Sequence, residues 1–439
     1  MASRLVDVRT RIEEISSAIS RQTEILRDLE TQRSAAQGEL NAILDPMARL
    51  PLEISSKIFA QCSPMPPKYD ALQAPTIFLS VCRAWRYIAL ATPSLWAAIS
   101  DQGIPVAKFP KFFESWLRRA RSSPLSLSLS GSLDPQYDVD PPNPVPAAVW
   151  AFVKQYMRQV QNLRLCLSSA GELQQIVFSY TSLRSLTVEN SNASEYFSQN
   201  ADECVALLCA APNLLECNFL GMEYRHGNPA PTKLTHCYLR HLALGKSQAE
   251  EPDSQFSAFN CTTVILKSLT LPALESLIIS FFDIAPADFI SFLTRSSPPL
   301  QSLHIWLAHA PIMVEANIVE GYLRVLPSLT ELDFGNTPTS TLPLLLRTIA
   351  DLLPNLCNLT IRGHTDGDSV DCEGVLDAFT PRHACLRSFQ LLLATFGSER
   401  REKIRDDITV ALRQRVNNGM GLHIETQELH DIFAIDVDM

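Results

Sequence analysis

Glycine is scarce in this chain, at 15 of 439 residues, about 3% against a usual ~7%. That disfavours enzymes built on Gly-rich loops that cradle phosphate. Neither G-x-G-x-x-G, G-x-S-x-G nor H-E-x-x-H occurs. Gly245-Lys246-Ser247 copies the end of a P-loop, but the earlier glycine of that motif falls on Arg240. An excess of positive charge is also missing. The 37 Lys and Arg stand against 47 Asp and Glu, giving a net charge of −10, which argues against a dedicated nucleic-acid binder. No Cys-x-x-Cys pair is present, and the eleven cysteines are scattered. Free, buried thiols in a reducing compartment are expected, with Cys204 and Cys209 in an apolar helical run. No apolar run reaches the ~18 residues of a membrane span. The first residues, MASRLVDVRTRIEEISS, lack the apolar centre of a secretion signal. A cytoplasmic or nuclear location is therefore expected.

Metal-ligand patterns are weak. His236 and His241, like His304 and His309, are five apart, which places them on opposite faces of an extended segment. Asp366, Asp368, Asp371 and Glu373 cluster. However, Val370 and Asp371 occupy the slots where a calcium loop wants an oxygen ligand and a glycine, so a solvated acidic loop is the reading. No metal, no cofactor and no catalytic residue is assigned, and the chain is read as a non-enzyme.

What the sequence does contain begins with a heptad over residues 5–43. Its a positions are Leu5, Ile12, Ile19, Leu26, Arg33 and Leu40; its d positions are Val8, Ile15, Gln22, Leu29, Ala36 and Ile43. Ten of these twelve are apolar, and the 3-4 spacing never slips. This predicts a coiled-coil helix, paired with a second copy or folded back on its own domain. Asp45-Pro46 ends it, because proline lacks the amide donor and disfavours helix at the residue before it.

A short helical module follows. Leu50-Pro51-Leu52-Glu53-Ile54 leads to Ile58-Phe59, and a Pro-rich loop runs through Pro64-Met65-Pro66-Pro67. Then come Leu79-Ser80-Val81-Cys82-Arg83-Ala84-Trp85-Arg86 and Pro93-Ser94-Leu95-Trp96. Pro51 suits a helix's first turn. Two or three helices in under 50 residues bury little, so apolar surface is left for a partner. The order Leu-Pro-x-Glu-Ile, Val-Cys-Arg-x-Trp, Leu-Trp from Leu50 to Trp96 resembles the F-box family. The resemblance implies docking to a Skp-type adaptor in a cullin-based ubiquitin ligase. It places adaptor contacts on Leu50, Pro51, Glu53, Ile54, Ile58, Phe59, Val81, Cys82, Arg83, Trp85, Leu95 and Trp96. The loop from Ser63 to Pro75 is longer and more Pro-rich than in many members.

Residues 101–148 are transitional: an amphipathic helix through Phe109, Phe112, Phe113, Trp116 and Leu117, ending in Arg118, Arg119 and Arg121; the alternating strand 125–129; and the Pro-rich segment 134–146. From 149 to 430 the unit Leu-x-x-Leu-x-Leu recurs. Its first positions are Val160, Leu183, Leu214, Leu239, Leu274, Leu300, Leu329, Leu356 and Leu386, spaced 23 to 35 residues apart, close to the ~20–29 of leucine-rich repeats. Five copies begin Pro-x-Leu, at Pro212, Pro272, Pro298, Pro327 and Pro354, and four of these prolines follow a helix-like run. One such unit cannot bury its own leucine ridge, but stacked neighbours can. The array resembles the irregular leucine-rich repeats found after an F-box. It departs from them where an Asn ladder belongs, at Ser191, Met222, Ser247, Phe282, Ala308, Thr337 and His364.

The fold expected is an α/β repeat: a coiled-coil helix (1–44), a small helical F-box (45–100), the transitional segment and an irregular repeat solenoid. Residues between the buried ones on each strand then share a concave face. On it Ile278, His304, Trp306, Glu331, Asp333 and Arg362 are the candidate target contacts, with Trp306 as anchor and Glu331 and Asp333 as a charged rim. The function expected is target recognition for a Skp/cullin/F-box ubiquitin ligase, without chemistry of its own. The second reading is a coiled-coil and repeat scaffold whose F-box-like module does not engage the ligase. Expected partners are the adaptor with its cullin core, an unidentified target protein and a second copy through 5–43, with no nucleic acid and no membrane.

Overall fold

The structure is a computed structural model. It describes residues 2–63, 74–101, 104, 108–129, 153–167, 180–190, 201–220, 233–245, 261–282, 286–307, 316–338, 341–364, 386–394 and 421–427. The acidic loop at 366–373 and the Pro-rich segments at 64–67 and 134–146 lie outside these residues, and so does His309. The chain divides into two compact units, one helical (1–100 and 111–123) and one built on a sheet (101–110 and 124–439).

In the helical unit, α1 runs unbroken over Ala2–Leu44, as the heptad predicts. Asp45 stops it and starts α2 (Pro46–Arg49) by accepting a hydrogen bond from the Met47 amide at 2.9 Å. Proline at the first helical position needs no amide donor. Then follow α3 (Leu52–Gln61), α4 (Phe78–Val81) and α5 (Arg83–Ala91). A 3-10 turn over Pro93–Trp96, β1 (Ala98–Ser100) and α6 (Phe109–Ala120) complete the run, α6 entering the unit at Lys111.

The core of this unit is aromatic. Phe59 stacks on Phe78 at 4.2 Å between ring centroids, and Trp85 meets both. Trp96 is fully buried, donates its indole N–H to the Ala89 carbonyl at 2.8 Å and meets Trp116 edge-on. Trp116 donates likewise to Ala98. The Arg119 guanidinium lies 4.4 Å over the Trp96 ring. Burial there, with Arg86 and Arg118 nearby, lowers its pKa from the ordinary arginine value. Arg121, at φ 55°, closes α6 in the left-handed cap conformation, its amide bonding to Leu117 O.

The sheet unit carries an eleven-stranded parallel sheet, and its strands lie side by side in chain order. They are β2 (Leu125–Leu129), β3 (Val160–Leu167), β4 (Ser185–Asn190), β5 (Glu216–Leu220), β7 (His241–Gly245), β9 (Ser276–Phe282), β10 (Ser302–Leu307), β11 (Glu331–Pro338), β12 (Asn358–His364), β13 (Ser388–Ala394) and β14 (Gly421–Gln427). A separate parallel pair joins β6 (Leu234–Thr235) to β8 (Leu269–Thr270). Helices α7 (Ala201–Ala210), α8 (Cys261–Ser268), α9 (Pro286–Ser296), α10 (Ala316–Leu323) and α11 (Leu342–Leu352) pack as a row, each on the next.

The first position of each of the nine Leu-x-x-Leu-x-Leu copies is buried, from Val160 through Leu386. Pro-x-Leu has a local cause. Ala211, Leu271, Leu326 and Leu353 each accept, through their carbonyl, the amide of the leucine three residues on. This is a turn with proline second, where its fixed φ is favoured. The residue after each first position then links the copies. The amides of Arg184, Leu215, Arg240, Glu275, Gln301, Thr330, Cys357 and Arg387 each bond to the equivalent carbonyl of the preceding copy, at 2.7–2.9 Å. Parallel register is thereby set before each strand begins. The run before Pro272, readable as strand or short helix, is both: α8, then β8.

The cysteines divide. Cys204 and Cys217 are buried, whereas Cys62, Cys209 and Cys237 are exposed, so burial is not general; the eight cysteines whose side chains are described are free thiols. No helix among the described residues is long and apolar enough to cross a membrane.

Candidate functional site

The twelve motif residues of the helical unit separate by burial. Phe59, Leu95 and Trp96 are buried at 1, 5 and 0% exposure. They build the core and present nothing to a partner, which corrects their assignment as contact residues. Ile58, Cys82 and Trp85 are half-buried. Cys82 caps α5 by accepting the Trp85 amide and donates its thiol to Asp45 Oδ2 at 3.3 Å, tying the end of α1 to α5. The exposed set is Leu50, Pro51, Glu53, Ile54, Val81 and Arg83. Leu50, Ile54 and Val81 are apolar and 39–51% exposed, and Leu52 and Leu90 extend the set. The set spans α3, α4 and α5, and both α3 and α4 pack on α5.

Polar bonds hold this frame. Ser55 Oγ, fully buried, donates toward the Met47 and Pro51 carbonyls. Ser56 and Thr92 share a 2.7 Å hydroxyl contact that links α3 to the end of α5. The sequence motif does not register these two residues, although small hydroxylated side chains between apolar ones are the available signal.

On the sheet, strand residues alternate as expected. Leu303, Ile305, Leu332, Phe334, Leu359 and Ile361 are buried, and the residues between them form the other face. Pairing sets Ile278 of β9, His304 of β10, Asp333 of β11 and Thr360 of β12 in one row, with Ser276, Ser302, Glu331 and Asn358 in the row before. Trp306 pairs with Gly335 along the backbone; its side chain lies outside the described set.

Asp333 departs from the expected rim. It is only 4% exposed. Its Oδ2 accepts from Arg362 Nε at 3.3 Å and Nη2 at 3.2 Å, and lies 3.4 Å from His304 Nδ1. Its Oδ1 is buried and has no hydrogen-bond partner. The carboxylate is thus matched internally, because a buried charge requires pairing, and it offers no free negative rim. Instead it positions His304 and Arg362 from the two neighbouring strands. The other His304 nitrogen contacts Ser302 Oγ at 3.1 Å. Glu331 stays half-exposed. Further along the same face, Arg164 pairs with Glu189 at 3.1 Å and Asn218 donates to Thr187.

His236 and His241 part as their spacing implies. His241 is exposed on β7, whereas His236 is buried. His236 accepts the Leu239 amide at Nδ1, which leaves Nε2–H to donate to Ala211 O at 2.9 Å. It is a structural bridge between adjacent copies. Arg295, which the sequence reading passed over, does similar work: its guanidinium donates to the Leu266 and Leu269 carbonyls and to Thr270, closing α8 onto α9. Among the described residues no three His, Cys, Asp or Glu side chains stand together as a metal site. No protein-family model matches the chain, and no curated protein matches it.

Proposed function

We propose that this chain is the target-recognition subunit of a Skp/cullin/F-box type ubiquitin ligase. In this reading the helical unit is an F-box that docks the adaptor, and the sheet unit is an irregular leucine-rich-repeat solenoid that binds the target. One observation carries the reading. The motif residues between Leu50 and Trp96 divide into a buried frame, Phe59, Leu95 and Trp96, and an exposed apolar set, Leu50, Ile54 and Val81. A motif serving only its own fold would be buried throughout; a docking motif needs both halves. The chain would act by proximity, holding a target beside a ubiquitin-charged enzyme, in the cytoplasm or nucleus.

Ile278, His304, Trp306, Glu331 and Arg362 are the proposed target contacts, with Asp333 as their support. The test is co-purification of a Skp-type adaptor with the full chain and with Leu50→Ala/Pro51→Ala. Loss of at least tenfold in captured adaptor, with an unchanged melting profile, is expected. Equal capture by the double variant would reject adaptor docking through this motif and leave the coiled-coil and repeat scaffold.

A further inference from the structure

The structure leaves the α1 seam uncovered along its described length. Val8, Ile12, Ile15, Ile19, Leu26, Leu29, Leu40 and Ile43 are each 49–64% exposed. The fold-back alternative, which would bury this face on the chain's own domain, is thus not realised. Nearly eleven helical turns with an apolar stripe interrupted at Gln22 and Arg33 need a partner, since a lone amphipathic helix gains little from its own hydrogen bonds.

We propose that α1 pairs with α1 of a second copy of this chain as an antiparallel coiled coil. Three features of the helix select both the occupant and the direction. The first is the seam. In an in-register parallel pair Arg33 meets Arg33 and Gln22 meets Gln22, so like charges face each other inside the interface. In the antiparallel pair a positions face d positions: Leu5 opposite Ile43, Ile12 opposite Ala36, Ile19 opposite Leu29, Leu26 opposite Gln22, Arg33 opposite Ile15 and Leu40 opposite Val8. Gln22 and Arg33 then each pack on an apolar residue, and their polar ends reach solvent along their stems.

The second is the flanks. The charged e and g positions of the first half are Arg4, Arg9 and Arg11; those of the second half are Glu30 and Glu39. Parallel pairing sets the basic block against itself. Antiparallel pairing brings g beside g and e beside e, so Arg11 meets Glu39 of the other copy, once at each end, and the basic block no longer faces itself. Ile25, an apolar g position, falls beside the two-fold and meets its own copy.

The third is that the helix's own electrostatics do not call for this order. Its first turn has no acidic residue and its last turn no basic one, the reverse of what the macrodipole favours. Antiparallel pairing sets the two dipoles against each other. At 1.5 Å per residue the rod is ~65 Å long, so the two helical modules that follow α1 stand at its opposite ends. The dimer stands independently of any role in a ligase.

The experiment is sedimentation equilibrium on the full chain. Wild type is expected at twice the 48.8 kDa chain mass. Glu39→Lys or Arg11→Glu, each acting at both symmetry-related pairs, should weaken the dimer by about tenfold. The two swaps combined should return it to within about threefold of wild type, with helix content by circular dichroism unchanged throughout. A monomer at tens of micromolar overturns the proposal. So does a dimer on which neither swap acts, or on which the two swaps merely add, because a parallel pair behaves in those ways.

Discussion

The two units treat apolar surface in opposite ways. In the helical unit Leu50, Leu52, Ile54, Val81, Tyr87, Leu90 and the α1 seam are exposed. In the sheet unit, three times as long, only Tyr238, Val325 and Leu344 are large apolar residues with such exposure among the described residues. The sheet satisfies itself: each copy supplies the cover its neighbour lacks, and the face away from the leucine ridge is matched by cross-strand pairs such as Arg164–Glu189 and Arg362–Asp333. The helical unit spends its few large aromatics on holding a frame and leaves the rest outward. A unit that repeats can close its core internally; a short one that does not repeat becomes stable and still presents a surface.

Substitutions can break this comparison at graded cost. Trp96→Ala strikes the frame, removing a fully buried indole, its bond to Ala89 and its contacts with Trp116 and Arg119. About 3–5 kcal/mol of the helical unit's stability should be lost, read by urea unfolding with tryptophan emission. The second effect is on the sheet. Arg362→Ala leaves the buried Asp333 carboxylate without its charge partner and should cost about 2–3 kcal/mol. Asp333→Asn in the same chain should recover part of this, because an amide does not need the cation. If the single variant is neutral, the carboxylate is not held as described. Arg295→Ala should cost about 1–2 kcal/mol, by freeing the Leu266 and Leu269 carbonyls, and should show as faster amide exchange at the end of α8. Smallest of all, Leu50→Ala and Ile54→Ala should each change stability by under about 0.5 kcal/mol. A large loss at either would mean that these residues are frame rather than surface.

Much of the strand layout was legible, because Leu-x-x-Leu-x-Leu fixes which strand positions are buried and Pro-x-Leu fixes the turn before them. The helix ends at 210, 296, 323 and 352 follow from the same prolines. β14, with Gly421-Leu-His-Ile-Glu, was passed over because it lacks the leucine spacing and any Pro-x-Leu lead. The grouping of His304, Asp333 and Arg362 was half legible. Alignment of the copies puts all three on one face, but only the register, with Arg362 reaching from β12 to Asp333 on β11, shows that Asp333 is matched rather than free. In the helical module the i, i+4 spacing of Ile54 and Ile58 marks a face without saying whether it points inward. That depends on Phe59, Phe78 and Trp85 filling the interior first, which is a matter of packing and not of pattern.

The most direct measurement of the difference between the units is calorimetric titration of a Skp-type adaptor into the full chain carrying one aspartate on either unit. Ile54→Asp charges the exposed motif of the helical unit, and Leu344→Asp charges an equally exposed leucine of the sheet unit. The account predicts at least a hundredfold weaker adaptor binding for Ile54→Asp and wild-type affinity for Leu344→Asp, with both chains folded. Equal affinity in the two variants, or loss only with Leu344→Asp, would contradict it.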